Sequence, residues 1–153
     1  MSETVEPILE VRGVQKFFDG RQVLKDINLM VAPGETVVVL GPSGCGKSTL
    51  LRVIIGEHAP DAGHVYMWGE DVCCASAERL DRLRRRFGVL FQSGALYSSM
   101  TVGENVALPL REHTDLDDQI IEMVVKMKLE LVGLRDFENL MPSQISGGMR
   151  KRV

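Results

Sequence analysis

Residues 41–49 read GPSGCGKST, and their types and spacing suit the gripping of phosphate. The run from Gly41 to Ser48 satisfies the pattern G-x-x-x-x-G-K-[ST], with Pro42, Ser43, Gly44 and Cys45 inside the loop and Thr49 directly after it. Gly41, Gly44 and Gly46 let the backbone turn without Cβ clashes, so consecutive N–H groups can point inward at phosphate oxygens. A helix starting at Lys47 would add more free N–H groups and the positive end of its dipole. Lys47 would set an ammonium on the β- and γ-phosphates, and Ser48 would offer its hydroxyl to Mg²⁺. Cys45 reads as a small residue in a crowded loop, although its place at a helix start suits a reactive thiol. The pattern by itself leaves kinases, GTPases, helicases and transport ATPases open.

A second stretch, QISGGMR at 144–150, has related chemistry. Ser146 is a natural N-cap, and Gly147 and Gly148 keep the first turn bare, leaving its N–H groups open to an anion. On its own, Ser-Gly-Gly serves equally well as a loop.

Elements must position these groups. ILEVRGV and INLMVAPGETVVVLG have the β-branched, alternating or fully apolar texture of strands, with a Pro33-Gly34 turn inside the second. ETVVVL is expected as a buried strand leading into the glycine loop, and KSTLLRVIIG as a helix stopping at Gly56. GHVYMWGEDV reads as strand, Gly turn and return, residues 76–86 as a helix, and FGVLF as a short buried strand running into Gln92. Beyond Gln92 the texture becomes helical. Thr101 and Glu104 have capping-box spacing, opening a short helix that Pro109 disturbs. A longer helix is expected from near Asp115 to a stop at Gly133, burying Ile120, Met123, Val124, Met127 and Leu131 as one face.

Composition sets the outer bounds. The formal net charge of -3 gives no global argument for nucleic acid or for an anionic membrane surface, and the basic run at 82–86 reads as a solvated helix face. The three cysteines lack metal-ligand spacing, and adjacent Cys73 and Cys74 are poor disulfide partners, pointing to a reducing compartment. No apolar run reaches the ~20 residues that a span needs, and the acidic N-terminus does not read as a signal peptide. The expectation is a cytosolic chain.

Glycine loop, helical insert and Ser-Gly-Gly in this order resemble the ATP-binding cassette (ABC) ATPases, whose signature is Leu-Ser-Gly-Gly-Gln; Ile145 and Met149 replace its flanks here. The resemblance implies an α/β fold of the RecA-like P-loop class, with an N-terminal antiparallel β subdomain and a helical subdomain. It implies ATP and Mg²⁺ as cofactors, and a head-to-tail pair of ATPase subunits in which Ser146, Gly147 and Gly148 press on the γ-phosphate held by the other subunit's loop. Gln92 matches the family's Q-loop glutamine, a metal and water contact at the hinge of the helical subdomain. VQKFFDGRQVLKDINL resembles its adenine-stacking loop, with Phe18 at the aromatic position and Phe17 as a rival.

LFQSGALYSSMTVGENVALPLREHT, MKLELVGL and LMPSQISGGMRKR are closer still to the ATPase subunits of Mla-type phospholipid transporters. That branch implies movement of phospholipid between inner and outer membranes, from the inner face of the inner membrane. The implied partners are a membrane permease, a mammalian-cell-entry (MCE) lipid-binding protein and a small STAS-domain protein. Alternatives are a soluble ABC ATPase of translation or repair, an importer ATPase for another substrate, and a binding module without turnover.

The family's Walker B Asp and catalytic Glu end a short apolar strand, with a switch His further on. Residues 1–153 hold no such strand, and His58, His64 and His113 all precede the signature. The chain therefore reads as the N-terminal portion of such an ATPase, inactive alone: about 7–91 as β subdomain and P-loop core, about 92–153 as Q-loop and helical subdomain.

Overall fold

The computed structural model describes residues 6–92 and 94–153. They form two compact units, divided after Gly88, which are taken separately.

In the first unit, β1 (Leu9–Phe18), β2 (Arg21–Val31), β3 (Ala62–Met67) and β4 (Glu70–Asp71) make one antiparallel sheet in the order β2-β1-β3-β4. The β1–β2 hairpin closes at Asp19-Gly20, both at positive φ, with Phe18 opposite Arg21. Val11, Val14, Leu24, Val65 and Met67 bury the inner face against Leu50 and Val53 of α1 (Lys47–Ile54) and Leu83 of α2 (Ala77–Arg84). At Gly63, φ is +81°, and a Cβ would lie 2.4 Å from the carbonyl oxygens of Arg12 and Gly13, so only glycine lets β3 pass β1 there. The helix expected over 76–86 is α2, capped by the Ser76 hydroxyl, which accepts from the Arg79 N–H. In its basic run Leu83 is buried, while Arg84 donates to the carbonyls of Ile55 and Gly56 and so satisfies the C-terminal end of α1.

Two expected strands are not formed. Residues 35–40 and 87–91 carry no strand, and Val38 (70%), Leu40 (86%) and Leu90 (72%) stand exposed. The physical reason is pairing. A strand of continuous apolar residues suits a place between parallel neighbours with both faces covered. Among the described residues, all strands belong to the antiparallel sheet, which offers these segments no partner.

The second unit is helical: α3 (Val102–His113), α4 (Asp118–Leu131), a 3₁₀ turn at Pro142–Gln144 and α5 (Gly147–Arg150). Thr101 and Glu104 form the expected capping box through reciprocal bonds of 3.1 and 2.7 Å. Pro109 does not end α3, which runs on to His113. The carbonyl of Thr101 meanwhile accepts from the Asn105 side chain, which also donates to Tyr97 and Met100 and ties down the loop before the helix.

α4 corrects the expected apolar face. The helix buries Ile121, Val125 and Leu129 against Val102, Ala107, Leu134 and Ile145, leaving Ile120, Met123, Met127 and Leu131 exposed. Apolar residues occupy more than one stripe of this helix, and the i, i+4, i+8 row wins where α3 and the 134–145 segment offer a complementary surface.

Candidate functional site

The glycine loop lies between the exposed segment at 35–40 and α1. Gly46 is the helix N-cap at φ 101°, and no side chain caps it, so first-turn N–H groups remain open to an anion. The loop is pinned from behind. A Cβ on Gly46 would meet the Val23 carbonyl at 3.1 Å and the Leu24 side chain at 3.0 Å, so β2 presses on the loop backbone and glycine is required. A Cβ on Gly41 would meet the Cys45 sulfur at 2.7 Å. The Lys47 ammonium folds over the loop and donates to the carbonyls of Gly41 (2.8 Å) and Pro42 (2.7 Å), with the Cys45 sulfur at 3.4 Å. Ser48 is exposed and Thr49 half-buried, while Pro42, Ser43, Gly44 and Cys45 all face solvent. A concave turn of small residues with open N–H groups and a mobile-stemmed cation fits a polyphosphate. The sequence did not disclose the role of Val23, because nothing in a β-strand residue's type reveals that its carbonyl will back a distant loop.

Phe18 ends β1, near the same stretch of β2. Its ring meets His58 edge-on with centroids 5.7 Å apart, and the Lys16 ammonium stands 5.5 Å from its centre. Phe17 and Phe18 are equally exposed at 41%, so exposure does not choose between them. Alternation along a strand sends the two rings to opposite faces. Asp61 secures this strand end: its carboxylate accepts from the Phe17 N–H at 2.7 Å and lies 3.3 Å from the Lys16 ammonium. The Phe17 N–H bond, then Lys16, hold the Asp61 carboxyl below its usual range. His58 and Asp61 were invisible to sequence reasoning because only the fold brings them to Phe18.

In the second unit Gln92 is an exposed turn residue. Ser146, Gly147 and Gly148 are exposed at the start of α5, where the Ser146 hydroxyl accepts from the Met149 N–H at 3.2 Å. Ile145 beneath them is buried and anchors the turn to the helical core. The motif is thus a surface presented outward on a fixed base.

A family model described as ABC transporter matches residues 24–153. The intermembrane phospholipid transport system ATP-binding protein MlaF of Escherichia coli K12 is 45% identical over 153 residues, covering 100% of this chain and 57% of that protein. A probable ribonucleotide transport ATP-binding protein, mkl of Mycobacterium leprae, is 46% identical over 95% of this chain and 42% of its own length. Among solved structures, the dimeric post-hydrolysis state of the ATP-binding cassette MJ0796 bound to ADP and Pi superposes with a TM-score of 0.87 at 31% identity. The match covers 94% of this chain and 66% of that one. The chain therefore spans about half the length of the curated relatives it matches, 57% of one and 42% of the other.

Proposed function

This chain belongs to the ABC transporter family, with the α/β fold of an ATP-binding cassette, and from that premise we propose that it is the nucleotide-binding portion of an ATPase subunit driving phospholipid transport between membranes. The observation that carries the nucleotide reading is the loop itself, a glycine turn backed by Val23 and Leu24 with Lys47 folded across it. In this reading Gly41–Gly46 and the first turn of α1 hold the phosphates of ATP, and Lys47 leaves its two carbonyl partners for the β- and γ-phosphates. Ser48 gives its hydroxyl to Mg²⁺, with Thr49 beside it. Phe18 stacks on the adenine, and Gln92 serves as a metal and water contact. Ser146, Gly147 and Gly148 face the γ-phosphate of a second subunit in a head-to-tail dimer, which is consistent with their exposure.

Phospholipid is favoured as the substrate because the similarity to MlaF extends over the whole chain. The similarity to mkl, described as a ribonucleotide transporter, supports an alternative substrate in the same architecture. The implied partners are a permease, an MCE-domain lipid-binding protein and a STAS-domain protein, with the ATPase peripheral on the cytoplasmic face of the inner membrane. The carboxylates that hold metal and position water are assigned to sequence beyond these residues.

The test is turnover and transport by the full-length protein reconstituted with its permease. Mg-dependent ATP hydrolysis should accompany phospholipid transfer between vesicles. Lys47→Ala should cost on the order of 3 kcal/mol of transition-state stabilisation, roughly a hundredfold or more in rate. Turnover within twofold of wild type would refute the role of Lys47, and ribonucleotide transport without lipid transfer would favour the mkl-like substrate.

A further inference from the structure

Away from the phosphate loop, the outward face of the β3–β4 hairpin gathers three chemically distinct donors. His64 lies on β3 with its Nδ1 2.8 Å from Oδ2 of Asp71, and one donor atom each from His64, Asp71 and Cys74 all fall within 4.8 Å of one another. We propose that His64, Asp71 and Cys74 form a binding site for a single thiophilic divalent cation of the Zn²⁺ class, which clips the segment after β4 onto β3.

The donor set decides the cation. Imidazole nitrogen, carboxylate oxygen and thiolate sulfur together suit Zn²⁺, whereas Mg²⁺ and Ca²⁺ take oxygen alone. Zinc bonded at about 2.0 Å to N or O and about 2.3 Å to S spaces its ligands at roughly 3.3–3.8 Å, so closure requires shifts of only about 1 Å. Rotation of the exposed Cys74 side chain supplies most of that. Three protein ligands leave a fourth position to water.

The scaffold fixes two of the donors in advance. Tyr66 pairs with Asp71 across β3 and β4, and the Val72 N–H donates to the Val65 carbonyl at 2.8 Å, so the hairpin geometry persists up to Cys73. Oδ1 of Asp71 accepts from the Cys73 N–H at 2.8 Å, which aims Oδ2 at His64, as an outer partner orients a metal-bound carboxylate. Burial raises the pKa of Asp71, but the Cys73 N–H and the His64 and Cys74 side chains outweigh it, and the group lies below the usual range. The His64 ring stacks on Tyr66, with centroids 6.0 Å apart. The nearby cation, Arg12, lies over the other partner Tyr66 and is bound to Glu10 at 2.7 Å. Cys73, half-buried against the sheet core, is excluded from the ligand set although it is adjacent in sequence.

Titration of metal-free full-length protein with Co²⁺, used as a spectroscopic stand-in for Zn²⁺, tests the assignment. One equivalent should produce thiolate-to-cobalt charge-transfer absorption that Zn²⁺ displaces. Cys74→Ser should abolish the band and His64→Ala should weaken binding by at least about tenfold, since even an outer partner is worth about 10–100-fold. Cys73→Ser and Cys45→Ser should retain it. Zn²⁺ should protect Cys74 from alkylation and raise the melting temperature of wild type but not of Cys74→Ser. His64 and Cys74 are exposed, and unchanged circular dichroism will show that each variant folds. No band, a band surviving Cys74→Ser, or one lost with Cys73→Ser or Cys45→Ser would overturn the site.

Discussion

Lys47 is held by two backbone carbonyls of its own loop, at 2.8 and 2.7 Å, with the Cys45 sulfur at 3.4 Å. That arrangement makes Cys45 a reporter. A polyphosphate seated in the loop draws Lys47 away and covers the thiol, so Mg-ATP should slow alkylation of Cys45 in the full-length protein. Cys73 and Cys74 should react alike with and without nucleotide, and slowly near neutral pH, because burial raises the first thiol and the charge of Asp71 raises the second. Equal labelling of Cys45 in both conditions would mean that the loop does not hold phosphate. Ser146 makes a different prediction, because its exposed turn is assigned to another subunit's nucleotide. Ser146→Arg should leave ATP affinity near normal while blocking hydrolysis and dimer closure; the lost cap should cost only about 1 kcal/mol of local stability. Weakened ATP binding by a monomeric variant would contradict that assignment. The glycine loop was legible in the sequence because its spacing specifies it, whereas Ser146 was legible as a cap only beside the glycine loop and the helical insert. The choice between Phe17 and Phe18 was not, and their equal exposure leaves it to a ligand experiment.

Among the elements, those defined by local chemistry matched expectation and those defined by partners did not. The Thr101–Glu104 box and the Gly133 stop are set within a few residues of sequence. The face of α4 depends on what packs against it, and its many apolar residues fit two stripes. Hence Ile121, Val125 and Leu129 are inside and Met123 is not. The metal cluster escaped for the same reason: strand pairing, not spacing, brings His64 to Asp71 and Cys74. At this scale Asp61 gives a pH prediction. Its folded pKa is depressed by the Phe17 N–H and by Lys16. Its contribution is therefore complete above the unfolded aspartate value of about 3.9 and fades as pH falls through the lower folded value. Asp61→Asn in the full-length protein should reduce stability at neutral pH, and the difference from wild type should shrink in acid below about pH 4. A difference that grew on acidification would show that Asp61 does not act as a carboxylate there.

For the molecule as a whole, the informative residues are the apolar ones left in water. Val38, Val39, Leu40 and Leu90 are all exposed in segments whose sequence suits central strands. Burying one such side chain is worth about 1.5–3 kcal/mol, so these four represent on the order of 6–12 kcal/mol, comparable with a domain's whole margin of ~5–15 kcal/mol. The antiparallel sheet and the helical unit each hold a buried cluster of their own, whereas residues 35–40 and 87–91 await neighbours. In the proposed reading the strand that ends in Asp-Glu is such a neighbour, and it is assigned to the part of the relatives' length that this chain does not span. Residues 1–153 expressed alone should therefore aggregate or bind a hydrophobic dye strongly, and show no ATPase activity above background. A chain extended to the length of its relatives should gain solubility and Mg-dependent turnover together, because in the proposed reading one strand both covers Val38 and Leu40 and carries the carboxylates that hold metal and position water. A monomeric 1–153 that melts cooperatively and hydrolyses ATP would contradict this, since water would then be positioned by residues already present.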